Sequence, residues 1–142
     1  MFNKQELIEF CENARSSYLD HISIDCVVFG FHEGQLKVLG LKIKNEASWY
    51  LPGGFVMKDE PIEMAANRIL KERTGIDEIF LQQFRVFGDP DRARPHHDMY
   101  KDLLPPEENW FSMRFLTIGY YALVDFVNVN PTPDGHSESC TW

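Results

Sequence analysis

The sequence predicts a single α/β domain, and three observations lead to that class. The chain has 142 residues, a length typical of one domain and sufficient to bury a core without disulfides or structural zinc. Its hydrophobic fraction is 44% and its aromatic fraction 13%, well above the composition of a disordered chain. Segments rich in β-branched and aromatic residues alternate with amphipathic helical segments, as expected when helices pack on a sheet.

The first half of the chain predicts one helix and two paired strands. Residues 3–17 form the expected helix, with Asn3 as its N-cap and Glu6 as the capping-box acid. Residues 22–31 are expected to form a strand, residues 32–35 a turn, and residues 36–44 the partner strand. A segment at residues 49–56 then contains Pro-Gly-Gly, which marks backbone that turns sharply or is closely approached.

The second half predicts one amphipathic helix followed by three strands. Pro61 is expected to be the first helical residue, with Asp59 or Glu60 as the cap, and Gly75 to end the helix. Residues 79–87 read as a strand and the following polar stretch as a loop. Residues 112–129 are expected to form one long strand or a bent pair, and a last strand is expected at 137–142.

Charge and cysteine usage exclude several function classes. The formal charge of −8 and pI near 5.0 argue against a surface built mainly to bind nucleic acid. The three cysteines Cys11, Cys26 and Cys140 are an odd number without a C-x-x-C spacing, so a reducing cytoplasmic location is expected. We see no signal peptide, and the longest apolar stretch is too short to span a bilayer.

Residues 54–76 carry the motif that is informative about chemistry. The stretch resembles the Nudix box, G-x5-E-x7-R-E-U-x-E-E-x-G-U, in which U is aliphatic. Two positions depart from it, because Ile69 and Arg73 stand where the family has glutamates. The resemblance implies the Nudix fold, an α/β/α arrangement with a mixed sheet between helices. The matching residues are Gly54, Glu60, Arg68, Leu70, Glu72, Gly75 and Ile76.

The resemblance implies hydrolysis of a diphosphate with Mg²⁺ or Mn²⁺, yet the two departures weaken that expectation. Hard divalent cations require carboxylate oxygens, and positions 69 and 73 lie on one helix face. An isoleucine and an arginine there cannot bind a cation. We therefore expect no cofactor, no catalytic residue and little or no turnover. An active enzyme would have to use Glu60, Glu63 and Glu72, with Glu60 and Glu72 as the remaining metal candidates.

Two arginines of this helix have alternative interpretations. Arg68 and Glu60 are expected to form an ion pair that holds the loop to the helix. Arg73 could turn a cation site into an anion site, since its planar guanidinium suits phosphate or carboxylate. Equally, it could extend to solvent beside the helix C-terminus.

The wider sequence resembles one branch of Nudix-related proteins, the effector-sensing domains of bacterial transcriptional regulators related to ADP-ribose pyrophosphatases. That resemblance implies an ADP-ribose-like or sugar metabolite as ligand, and we expect a homodimer. Asp91 and Arg92 match a loop of that group, and Trp49 adjoins the Pro-Gly-Gly segment. The expected ligand-binding residues are Trp49, Gly53, Gly54, Arg68, Arg73, Asp91 and Arg92.

Four further expectations concern the limits of the site and of the domain. Nudix domains usually continue into a final helix, so residues 1–142 are expected to form one domain apparently short of that helix. No DNA-binding domain is expected in this chain. Adjacent His96, His97 and Asp98 could bind a metal but are expected to be solvated, and Cys26 is expected to be a core residue.

Overall fold

The computed structural model describes residues 2–44, 47–92 and 100–142, and His96, His97 and Asp98 lie outside this part. Two single turns of 3-10 helix occur at Trp110–Ser112 and Phe126–Asn128. No helix in the described ranges is long and apolar enough to cross a membrane. The main elements are α1 (Lys4–Ser17), β1 (Tyr18–His32), β2 (Gln35–Val38), β3 (Gly40–Ile43), β4 (Trp49–Tyr50), β5 (Gly53–Met57), α2 (Ile62–Thr74), β6 (Gln82–Phe87), β7 (Leu116–Val124) and β8 (Ser137–Thr141).

The strands of the described residues form two sheets, and the long strand β1 is the organising element of the larger one. The larger sheet has the order β2-β1-β7-β6, with β5 also pairing with β1, and the smaller sheet has the order β4-β3-β8. β1 and β7 are parallel, whereas the other pairs are antiparallel. The larger sheet is therefore mixed, as expected for the fold.

The helix boundaries follow from their caps. The Asn3 side chain accepts the Glu6 N–H at 2.9 Å while the Glu6 carboxylate accepts the Asn3 N–H at 2.8 Å, which confirms the predicted capping box. Gly75 ends α2 with a φ of 70°, a left-handed conformation that glycine adopts without strain. The predicted start of α2 was wrong, because Pro61 is the extended residue before the helix and no side-chain cap is present there.

Three predicted strands are divided or shorter in the structure, and β1 is longer than the strand expected at 22–31. The strand expected at 36–44 is divided at Leu39, whose side chain is fully buried and whose N–H donates to the Val28 carbonyl at 2.9 Å. At the buried Leu39 the chain leaves the larger sheet and enters the smaller one. The strand expected at 79–87 begins only at residue 82, and the one expected at 112–129 is shortened by the flanking 3-10 turns, which Asn109 and Asp125 cap.

The two helices lie on opposite faces of the larger sheet. Successive residues of a strand point to opposite faces, and neighbouring residues of β5 separate accordingly. Val56 belongs to a buried cluster that includes α2, whereas Phe55 packs against a second cluster that includes α1. The α/β/α arrangement is confirmed. Cys26 lies fully buried in the α2 cluster, where burial and then the charge of Asp25 raise the pKa of its thiol to about 12.

Candidate functional site

The glycine-rich segment and the box helix meet at Gly54 and Ile69. A Cβ atom placed on Gly54 would lie 3.0 Å from Cγ1 of Ile69, so the absence of a side chain at position 54 permits close packing. Ile69 is 2% exposed. An apolar side chain that packs between β5 and α2 therefore occupies the position at which the family motif has a glutamate.

Arg68 binds the remaining glutamates of the box. Its Nε and Nη2 donate to the two carboxylate oxygens of Glu60 at 3.0 and 2.5 Å, and its Nη1 donates to Glu72 at 3.0 Å. Nη2 also donates to the Phe55 carbonyl at 2.8 Å. Glu60 accepts the Met57 N–H at 2.9 Å as well. The expected ion pair between Arg68 and Glu60 is present, and it connects loop, strand and helix.

Electrostatics at this cluster favour the ionised form of Glu60. Hydrogen bonds from Arg68, partly opposed by burial and aided by the Met57 N–H and by the charge of Arg68, hold the pKa of Glu60 below its ordinary value. The hydrogen bond to Glu60, partly opposed by burial and aided by the charges of Glu72 and Glu60 and the hydrogen bond to Glu72, raises the pKa of Arg68. Both side chains are thus charged at neutral pH, and each compensates the charge of the other.

Arg73 does not extend to solvent, one of the two interpretations drawn from the sequence, and the other, an anion site, stays a prediction. Its Nη1 binds Oδ2 of Asp134, which lies in the turn before β8, and its side chain is 21% exposed. It is therefore neither extended to solvent nor an uncompensated positive charge. Burial would raise the pKa of Asp134, but hydrogen bonds from Ser137, the charge of Arg73 and the His136 N–H together lower it.

The residues of the box do not fit Mg²⁺ or Mn²⁺. Divalent cations of this type are held by clustered carboxylates, whereas positions 69 and 73 hold an isoleucine and an arginine, and Glu60 and Glu72 share the guanidinium of Arg68. Within residues 2–44, 47–92 and 100–142, no group of three or more His, Cys, Asp or Glu side chains is placed to hold a metal ion.

A cleft of about 630 Å³ opens between the larger sheet and the aromatic cluster beside α1. This volume lies in the range of small-molecule sites. Its lining includes an aromatic wall, a polar wall and a basic side, and also the acid Glu6. The aromatic wall contains Phe2, Phe10, Phe55, Tyr100, Phe111 and Phe115; the polar wall contains Ser23, Asp25, Arg92 and Thr117; the basic side contains Lys44, Arg73 and His136.

The polar wall is a connected set of side chains from β1, β7 and the loop after β6. The hydroxyl oxygens of Ser23 and Thr117 are 2.7 Å apart. Arg92 donates from Nη1 to Thr117 at 2.8 Å and lies 3.5 Å from Oδ2 of Asp25 through Nη2. Arg92 was predicted from sequence, but Ser23, Asp25 and Thr117 were missed. Strand alternation could have identified Ser23 and Asp25, since they face away from the buried Ile24 and Cys26.

Gly53 and Asp25 are in close approach at the edge of this wall. A Cβ atom on Gly53 would lie 2.5 Å from Oδ1 of Asp25 and 3.2 Å from the Ile24 carbonyl oxygen. Real Cβ atoms do not tolerate the first distance, so the glycine is needed for the observed position of the carboxylate.

The predicted ligand-binding residues are divided between several places. Gly53, Gly54, Arg73 and Arg92 line the cleft, while Arg68 binds Glu60 in the loop before α2 and Glu72 on α2. Trp49 lies outside the cleft, in a separate cavity of about 360 Å³ that also includes Trp142.

Two further sequence candidates lie apart from the lining of the cleft. Asp91 is exposed, and its N–H donates to Asp89 at 2.8 Å. Glu63 is in the exposed first turn of α2. Roles for Trp49, Asp91 and Glu63 in binding or catalysis stay predictions.

The fold and the box together define a Nudix domain, and the chain belongs to that family: the NUDIX domain model matches residues 19–142. Among characterised proteins it is similar to the ADPR responsive transcriptional repressor NtrR of Acinetobacter baylyi, with 29% identity over 126 residues. That match covers 85% of this chain and 43% of the relative. The chain thus spans less than half the length of this relative.

Two solved structures are similar over almost the whole chain. The NUDIX domain of Shewanella oneidensis NrtR, solved with ADP ribose, has a TM-score of 0.64 and 25% identity, covering 94% of this chain and 80% of that one. A MutT/nudix family protein from Enterococcus faecalis also has a TM-score of 0.64 and 25% identity, covering 96% of this chain and 50% of that one.

Proposed function

We propose that this domain binds an ADP-ribose-like or sugar metabolite in the 630 Å³ cleft and signals its presence without hydrolysing it. The observation that carries the proposal is the state of the box: Arg68 binds both Glu60 and Glu72, and Arg73 binds Asp134. The charged side chains at these positions hold the protein together instead of holding a catalytic metal.

The cleft has the chemistry that a nucleoside diphosphate sugar requires. Aromatic rings such as Phe10 and Phe111, which stack with centroids 5.1 Å apart, offer a surface for a flat ring. Lys44 and His136 lie on the basic side, where phosphate oxygens would be favourable. The relatives give independent support, since one is an ADPR-responsive repressor and a neighbouring structure holds ADP ribose.

The biological setting is part of the same proposal. A repressor as relative favours a transcriptional regulator that acts in the cytoplasm as a homodimer. The acidic charge of −8 argues that DNA would be bound through residues other than these. The ligand-binding domain would then transmit occupancy of the cleft to a DNA-binding part of the whole protein.

Ligand binding without metal is the direct test. ADP-ribose added to the protein in EDTA should raise its Tm, because a ligand that binds only the folded state stabilises it by roughly 2.7 kcal/mol at a concentration 100 times Kd. The Arg92→Ala variant should respond much less, and Glu33→Gln, an exposed change outside the cleft, should respond like the wild type. Absence of any shift with ADP-ribose and with simple sugar phosphates would refute the proposal.

The second candidate function is a working Nudix hydrolase of ADP-ribose or nucleoside diphosphate derivatives. Active members of the family use Mg²⁺ or Mn²⁺, and three glutamates, Glu60, Glu63 and Glu72, remain on or beside α2. Such an enzyme would have to release Glu60 and Glu72 from Arg68 before a metal could bind. Because of this requirement, we favour the ligand-sensing function over the hydrolase.

A further inference from the structure

Asp25 brings a carboxylate into a cleft that is proposed to hold a phosphorylated ligand. Its side chain lies beside Arg92, with 3.5 Å between Oδ2 and Nη2, and about 37% of it is exposed. The hydroxyls of Ser23 and Thr117 extend the same wall. A carboxylate repels phosphate oxygens, so the polar wall must face a different part of the ligand.

The charges on the wall balance locally. Arg92 compensates Asp25, and Ser23 and Thr117 are neutral, so the wall as a whole carries little net charge. Sugar hydroxyls donate hydrogen bonds, and an ionised carboxylate accepts them. The two adjacent hydroxyls of a ribose therefore match a wall built on one carboxylate and two side-chain hydroxyls.

The basic side of the cleft favours phosphate groups instead of sugar hydroxyls. Among the described residues, the Lys44 ammonium donates a hydrogen bond to the Gly135 carbonyl at 3.0 Å, and an ammonium has three donors. Arg73 adds a guanidinium whose charge Asp134 compensates. Among the described residues of this side, the charge of Lys44 favours a diphosphate, which separates the phosphate-binding and sugar-binding parts of one cleft.

We propose that Asp25 accepts hydrogen bonds from the terminal sugar of a ribosyl diphosphate and thereby sets the preference of the domain for ADP-ribose over ADP. This inference rests on the proposed function, since it assumes that the ligand occupies the cleft. Gly53 is the positioning residue, because only a residue without Cβ leaves room for Oδ1 of Asp25, which lies 2.5 Å from the position of that atom.

The test compares affinities for ADP-ribose, which carries a terminal ribose, and ADP, which ends in a free phosphate. Calorimetric titration of wild-type protein, without metal, should give tighter binding of ADP-ribose than of ADP. Asp25→Asn should weaken the affinity for ADP-ribose by about tenfold or more, because a charged hydrogen-bond acceptor is lost. The affinity for ADP should be unchanged or slightly higher. Asp20→Asn is the matched control, since Asp20 is an exposed aspartate of the same strand outside the cleft.

Each other outcome is decisive. Equal wild-type affinities for the two ligands overturn the assignment without any variant. An equal loss of affinity for both ligands in a folded Asp25→Asn protein overturns it as well. If the variant does not fold, the wild-type comparison with ribose 5-phosphate replaces it, and failure of that sugar phosphate to compete with ADP-ribose contradicts the proposal. If wild-type protein binds neither ADP-ribose nor ADP, the proposed function itself has failed and this inference with it.

Discussion

Arg68 and Glu60 are joined by two parallel hydrogen bonds, from Nε to Oε2 at 3.0 Å and from Nη2 to Oε1 at 2.5 Å. Both side chains are less than a quarter exposed, so the pair is protected from solvent and its geometry is bidentate. The pair fastens the loop before α2 to the helix. In the proposed function, this pair acts as a structural clasp within the box and not as part of a catalytic centre.

Removal of Arg68 should destabilise the fold. Arg68→Ala leaves the Glu60 carboxylate in a largely buried position without its partner, and we expect a loss of about 2 kcal/mol in the free energy of unfolding. Urea denaturation measures the change. Lys71→Ala is the control, because the Lys71–Asp77 pair is exposed and should have no measurable effect. Equal stability of wild type and Arg68→Ala would show that the clasp is unimportant.

The same pair should make stability depend on pH. Because Arg68 lowers the pKa of Glu60 in the folded protein, the stabilisation is present above the unfolded value of about 4.3 and disappears as pH falls through the folded value. The stability difference between wild type and Arg68→Ala should therefore be largest near pH 7 and should shrink below about pH 4. Urea titrations from pH 7 to 3 test this, and a difference independent of pH contradicts it.

Arg73 and Asp134 should be energetically coupled. A double-mutant cycle with Arg73→Ala and Asp134→Asn should give a coupling energy of about 1 kcal/mol, since the two side chains are in contact and mostly buried. Asparagine at 134 retains an oxygen for the His136 and Ser137 N–H groups, so the cycle isolates the ion pair. Additive effects would mean that Arg73 does not hold the turn before β8.

Gly53→Ala should weaken ligand binding in the cleft strongly, although the substitution adds only one methyl group. The new Cβ would collide with the Asp25 carboxylate, which must move away from the polar wall, and we expect ADP-ribose binding to fall by about tenfold or more. Gly135→Ala is the control, because nothing lies within 4 Å of the corresponding Cβ position. Calorimetry on both variants decides, and unchanged affinity in Gly53→Ala would exclude Asp25 from recognition.

Much of the fold could be predicted from the sequence because its signals are local. The Asn3–Glu6 capping box and Gly75 are satisfied by neighbouring residues, and the spacing of the box places Arg68 near Glu60 through one loop and two helical turns. The division of the 36–44 strand was missed, since it depends on burial of Leu39 against β1, a tertiary contact that alternation does not reveal.

The site could be predicted only in part for the same reason. Gly53 and Arg92 were identified from motifs, yet the residues that complete the wall, Asp25 and Thr117, come from strands 92 positions apart in sequence that pair in parallel. The partner of Arg73 could not be predicted either. Asp134 is 61 residues away, in a turn whose composition indicates only a turn.

The most direct test of the central claim is the fate of ADP-ribose in the presence of metal. Protein, ADP-ribose and saturating Mg²⁺ or Mn²⁺ should be incubated and followed by phosphorus NMR, with binding verified in the same sample by the rise in Tm. If the box is a clasp, ADP-ribose stays bound and intact, and no AMP is formed above the level without protein. Metal-dependent release of AMP, abolished by Glu60→Gln or Glu72→Gln in folded protein, would contradict the account.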